Sequence, residues 1–167
     1  MYLLSPHATT AAPSADQWAP TSAVIDCLYR FGLAQDRRYE TGARDLFLSA
    51  FTEDAVLDFR PAATRCGIEV PLMEGRQMIA DIIMNPAARL DTSHVITNPR
   101  VQLDGDSAEL TALVEAQHLP TGNHSRHALL KNIYSVTAVR EGGFWRMRRV
   151  HIDNLWFTGD PAVITGQ

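Results

Sequence analysis

From His94 onward the hydrophobic period of this chain is two, and short polar turns are all that interrupt it. That pattern suits strands with one face buried and cannot be met by a helix. Four long strands are readable, His94–Leu103, Ser107–Leu119, Arg126–Arg140 and Phe144–Phe157. They are joined by Asp104-Gly105-Asp106, Pro120-Thr121-Gly122-Asn123 and Glu141-Gly142-Gly143, all good hairpin chemistry. In the second strand Ala108, Leu110, Ala112, Val114, Ala116 and His118 share a face. Ser107, Glu109, Thr111, Glu115 and Gln117 share the other, with Leu113 the exception. One face turns inward and the other meets water or a second subunit. The small inward alanines are expected to leave room for a ligand.

The earlier part of the chain has a different period. Thr21-Ser22 offers an N-cap for a helix over Ser22–Arg38, in which Ile25, Leu28, Tyr29, Gly32 and Asp36 fall on one stripe. A second helix is expected over Gly42–Phe51 and a third over Gly75–Met84. Between them Ala55–Phe59 reads as a strand ended by Pro61, and Cys66–Val70 as a short second one. Helices first and a strand meander afterwards make the fold class α+β. At 167 residues the chain fits one domain with a sizeable core. Residues 1–20, rich in Ala, Thr, Ser and Pro without a basic n-region, read as a flexible arm rather than a signal peptide. The domain is expected over 21–160, with 161–167 as a C-terminal tail.

A net charge of −4 argues against nucleic acid. Arg146, Arg148 and Arg149 cluster, but strand alternation sends Arg149 to the opposite face, so ion pairs are expected rather than a phosphate track. No apolar run has the roughly 20 residues of a membrane span. Cys27 and Cys66 lack metal-ligand spacing; a disulfide between them stays open, though two isolated thiols suit a reducing cytosol. There is no Gly-rich phosphate loop, GxSxG elbow or HExxH helix, and the six histidines show no metal pattern. The expectation is chemistry without a cofactor or metal, in a cytoplasmic protein.

The candidate catalytic residues are Asp36 and His94. A carboxylate is disfavoured near a helix C-terminus by the macrodipole, yet the stripe points Asp36 inward. The other reading is a surface carboxylate paired with Arg37 or Arg38. His94 opens a strand from which its ring could meet Asp36, or it is a core histidine satisfied by a carbonyl. A carboxylate holding an imidazole makes a general base near neutral pH. Tyr29, on the Asp36 stripe, and Tyr134, Asn132 and His118, on inward strand faces, are the candidate substrate-binding residues. His118 could equally be a partly exposed strand-end residue. Tyr39 is a weaker candidate, the His151 face is mixed and cannot be oriented, and His7, His124 and His127 read as surface.

Residues 20–160 resemble the SnoaL-like branch of the nuclear transport factor 2-like superfamily. The resemblance is carried by Tyr29–Asp36, by Leu46-Phe47 with Phe51–Ala55, and by Gly75-Arg76. It continues in His94–Asn98, Gly105–Ala108, Trp145–Met147 and Asn154–Trp156. It implies a cone-shaped α+β barrel, here with three N-terminal helices on a strongly curved, mostly antiparallel sheet, and a deep apolar pocket. Scytalone dehydratase and hexachlorocyclohexane dehydrochlorinase look like the nearest functional analogues, both using a histidine base held by an aspartate of the first helix. Asp36 and His94 match that pair. The resulting expectation is a cofactor-independent lyase of dehydratase type on a small cyclic or polyketide-like molecule. Isomerase, cyclase and a non-catalytic ligand-binding or assembly module are the alternatives. The resemblance also implies a homo-oligomer, dimer or trimer.

Overall fold

The computed structural model describes residues 15–166. Helix α1 (Ala15–Asp36) is followed by α2 (Ala43–Ser49), β1 (Phe51–Asp58), α3 (Arg60–Arg65), β2 (Met73–Glu74) and α4 (Arg76–Ile83). A 3-10 turn over Pro86–Ala88 leads into β3 (Leu90–Asp104), β4 (Ser107–Pro120), β5 (Ala128–Glu141) and β6 (Phe144–Gly159). A second 3-10 turn, Pro161–Thr165, follows. The strands form one curved sheet in the order β2-β1-β6-β5-β4-β3. β1 runs parallel to β6, and every other pair is antiparallel. This is the α+β architecture expected, with the helices packed on one face of the sheet. The three hairpins predicted after His94 are present; Gly142 and Gly143, at φ 57° and 84°, supply the positive angles of a primed turn.

Several boundaries differ from the sequence reading. Helix α1 begins at Ala15 and contains Pro20, so residues 15–20 of the expected arm are helical; residues 1–14 lie outside the described residues. Pro20 is the sixth residue of the helix, so it removes one backbone bond and crowds the carbonyl four residues before it. No strand forms over Cys66–Val70. Pro61 starts α3 instead of merely ending β1, because its fixed φ suits a first helical turn. The Gly67 and Ile68 amides then close that helix on the Thr64 and Ala63 carbonyls. Among the described residues there are thus four α-helices where three were expected. The expected tail packs as well: Val163 is fully buried in a small cluster with Cys66, Leu90, Ala128 and Leu130.

Strand β6 explains why its faces could not be read. Thr137 pairs with Arg149 and Ala138 with Met147, leaving Arg148 as an extra residue. This bulge reverses the alternation. Trp145 and Met147 point inward before it, Val150, Ile152 and Asn154 after it, and Arg149 and His151 are exposed. Arg149 therefore does not lie opposite Arg146 as simple alternation required. Arg148 pairs with Glu141 and Asp54, while His151 stands on the outer face near Asp58 and Asp153.

The main core joins α1, α2 and β1 to the inner face of the sheet. Phe31 meets Phe47 at 5.4 Å, Phe51 at 5.6 Å and Tyr134 at 6.2 Å between ring centroids. These rings pack in the same cluster as Ala108, Ala112 and Ala138. The space expected above the alanines is therefore taken up by aromatic side chains at this end of the sheet. Small residues on one layer accommodate large ones on the facing layer, as close packing requires.

Candidate functional site

Gly32 sets the distance between α1 and β3. A Cβ built there would lie 3.1 Å from the His94 Cβ and 3.5 Å from Ile96 Cδ1. A side chain there would require His94 or the helix to give by a few tenths of an ångström. One turn further on, Asp36 reaches the strand. Its Oδ1 accepts from His94 Nδ1 at 2.7 Å and from the Thr92 hydroxyl at 3.0 Å, and its Oδ2 accepts from the His94 backbone N–H at 2.9 Å.

Three donors from β3 thus compensate a carboxylate that the helix dipole disfavours. Burial alone would raise the Asp36 pKa, but the bonds and charge of His94, with the Thr92 hydroxyl, outweigh it and hold the carboxyl below its usual range. An ionised Asp36 can only accept, so it fixes the proton on His94 Nδ1 and leaves Nε2 with a lone pair. Nε2 makes no hydrogen bond among the described residues. The His94 side chain is 3% exposed and that of Asp36 24%.

The pair borders a cleft of about 280 Å³ lined by Tyr29, Leu33, Asp36, His94 and Ile96. It lies along the seam between α1 and β3, not over the alanines of β4. It is open at the surface, and both Tyr29 and Leu33 are nearly half exposed. Its volume is at the lower end of those that hold small ligands.

The other predicted residues are distributed along the interior. His118 lies beside the dyad, its ring 6.0 Å from that of His94, and its Nδ1 is buried without a hydrogen-bond partner. Burial, aided by the charges of His94 and Arg38, pushes its pKa down to about 3, so it is neutral at pH 7. The residue is partly exposed at the end of β4, as the alternative reading had it, while its Nδ1 is buried. Tyr134 is buried in the aromatic cluster; burial raises its pKa, with the Asn132 amide working the other way. Asn132 is buried and accepts from Asn154 Nδ2 at 2.9 Å. That amide also donates to the Trp156 carbonyl. Tyr29 is thus drawn to the cleft, while Tyr134 and Asn132 sit in packed core. Tyr39 is exposed and donates to the Leu90 carbonyl at 3.1 Å. His124 is exposed, as expected, and bonds Asp91 at 2.7 Å.

Sequence reasoning missed two residues. Arg38, in sequence no more than a surface partner for Asp36, forms no ion pair with it among the described residues. Asn154 lies on a strand whose bulges hide its inward face. Cys27 and Cys66 are both free and buried; burial raises the Cys27 pKa to about 11, and its Sγ donates to the Trp145 carbonyl.

With this geometry in place, the sequence profile of the SnoaL-like domain matches residues 19–151. The chain belongs to the SnoaL-like family. Among curated relatives, terrestric acid biosynthesis cluster protein E of Penicillium crustosum is 31% identical over 148 residues, covering 84% of this chain and 86% of that protein. Solved structures share the fold at lower identity. A candidate aromatic ring hydroxylase from Novosphingobium aromaticivorans superposes with a TM-score of 0.74 at 22% identity, covering 92% of this chain and 99% of that one. A candidate scytalone dehydratase from the same organism gives 0.71 at 16%, covering 86% and 89%. A type 2 hexachlorocyclohexane dehydrochlorinase gives 0.70 at 19%, covering 86% and 90%. The SnoaL-like resemblance and the cone-type α+β fold read from the sequence both hold.

Proposed function

We propose that this SnoaL-like protein is a cofactor-independent lyase that eliminates water from a small cyclic or polyketide-like substrate, with His94 as base and Asp36 as its orienting carboxylate. The observation that carries this reading is the 2.7 Å bond from His94 Nδ1 to a carboxylate that also binds the same residue's backbone N–H, at the wall of a cleft. Two bonds to one residue fix both the tautomer and the ring position. His94 Nε2 removes a proton beside a carbonyl. The electron pair forms the enolate, then the carbon–carbon double bond as the hydroxyl departs. The imidazolium, stabilised by Asp36, returns its proton to that hydroxyl, and water leaves. Tyr29, whose ring lines the cleft, polarises the carbonyl oxygen as charge gathers on it. His118 is too strongly held in its neutral form to act as an imidazolium acid; its role is to hydrogen-bond substrate. Acid–base catalysis of this kind contributes about 10²–10⁴-fold.

The names of a dehydratase and a dehydrochlorinase among proteins of the same fold, and of a biosynthesis cluster protein among relatives, support small-molecule chemistry. Isomerisation or cyclisation would use the same proton abstraction and differ in where the electrons finish. The test is incubation with hydroxylated cyclic ketones and mass detection of the loss of one water. His94→Ala and Asp36→Asn should each reduce turnover at least about a hundredfold while the fold survives. Full activity in both would remove the dyad from the mechanism. The modest cleft also favours a second reading, a binding module without turnover, in which His94→Ala leaves ligand affinity nearly intact. We further propose a homo-oligomer formed through the outer sheet face, where Val95 is half exposed; sedimentation measures it.

A further inference from the structure

Arg38 lies two residues beyond the end of α1, and its guanidinium is the least satisfied cation near the dyad. Its Nε donates to the Gln35 carbonyl at 3.2 Å, which ties the fork to the end of the helix. Its Nη1 is buried with no hydrogen-bond partner. Among the described residues it forms no ion pair with any carboxylate. Two carboxylates are near enough for their charge to act on it, Asp36 and Asp91. Both are already engaged: Asp36 by His94 and Thr92, and Asp91 by the Thr121 hydroxyl and His124. His118, whose ring lies 6.0 Å from that of His94 and on which the Arg38 charge acts, also has a buried and unpartnered Nδ1. Unmatched polar groups from two separate segments therefore lie near the proposed base.

We propose that the substrate of this site carries a carboxylate and that Arg38 binds it. The inference rests on the reading that substrate is processed at the Asp36–His94 pair. A half-buried guanidinium without a counter-anion is unfavourable, and a carboxylate is the group whose two oxygens match its planar fork. A neutral ketone or halocarbon would leave that charge unmatched. The carboxylate acts as a handle remote from the reacting carbons. Held at Arg38, it fixes which carbon faces His94, so its binding energy contributes to positioning rather than to the bond changes themselves.

The test uses the full chain and two rings of equal size, sodium benzoate and benzamide, titrated calorimetrically. Benzoate should bind at least about tenfold more tightly than benzamide. Arg38→Gln should abolish that preference and leave benzamide affinity unchanged, and Arg38→Lys, which keeps charge without the fork, should fall between. Arg89→Gln, in a separate cleft it shares with Arg126, should change nothing. If Arg38→Gln does not fold, amide NMR shifts of the unmutated protein decide: benzoate must move the signals of Arg38 and His118. Equal affinity for the two probes, no benzoate binding, loss of the preference in Arg89→Gln, or shifts confined to the Arg89–Arg126 cleft would each overturn the proposal. Because the readout is binding, the outcomes separate. A benzoate preference with fully active His94→Ala retains the anion site and removes the catalytic reading. The absence of a preference, with inactive His94→Ala, does the reverse.

Discussion

Strand β3 carries two histidine–carboxylate pairs of the same length and opposite character. His94 meets Asp36 at 2.7 Å and His124 meets Asp91 at 2.7 Å. The His94 side chain is 3% exposed and that of His124 57%. Asp36 is held by a backbone N–H, a ring and a hydroxyl, all from one strand. Asp91 ties together groups from the β4–β5 loop, with Thr121 also meeting the Tyr39 hydroxyl. Distance alone does not set the two pairs apart. A buried ring, a fixed tautomer and an adjacent cleft distinguish the first pair; the second is a surface clasp, and exposed pairs contribute only about 0–1 kcal/mol.

The largest expected difference is in turnover. His94→Ala or Asp36→Asn should lower kcat at least about a hundredfold, whereas His124→Ala and Asp91→Asn should leave it unchanged. Equal losses at both pairs would erase the distinction. Acid stability comes next. Unfolded His118 takes up a proton near its ordinary pKa of 6.5, while the folded chain does so only near about 3. Stability from its neutral burial is therefore complete above pH 6.5 and is lost as pH falls from there toward about 3. His118→Asn should flatten that part of a denaturation-midpoint profile. Asp36 has a lowered folded pKa, so its contribution persists until pH falls below the ordinary carboxylate value of 3.8.

A smaller effect is expected at Gly32. Gly32→Ala puts a methyl against the His94 Cβ and should cost about 1–3 kcal/mol of stability, read from chemical denaturation, with a fall in kcat as the ring shifts. An unchanged kcat would mean that the helix–strand spacing is not critical. The smallest effect is at the clasp: Asp91→Asn should change unfolding free energy by no more than about 1 kcal/mol.

Most of the sheet was legible because β4 alternates cleanly and the hairpin turns carry Gly, Asn and Asp where turns need them. The Asp36 and His94 positions were legible from a helical stripe and a strand start, although their bond required the close approach that Gly32 permits. What could not be read was what depends on packing between distant segments. The extra residue at Arg148 reverses the faces of β6 and hides Asn154. Pro61 looks the same in sequence whether it ends a strand or starts a helix. The inward alanines suggested a void, but nothing local showed that Phe31, Phe47 and Phe51 would fill it. Arg38 gave no signal, since only the folded chain shows which oxygens it fails to meet.

β3 is the last strand of the sheet, so half of its amide groups face away from any neighbour. Asp36 takes the place of that missing neighbour at His94. Asp36→Ala would leave that one amide on the rim without its acceptor. One carboxylate thus closes a donor of the open edge and holds a ring, and hydrogen exchange at the His94 amide should quicken in Asp36→Ala.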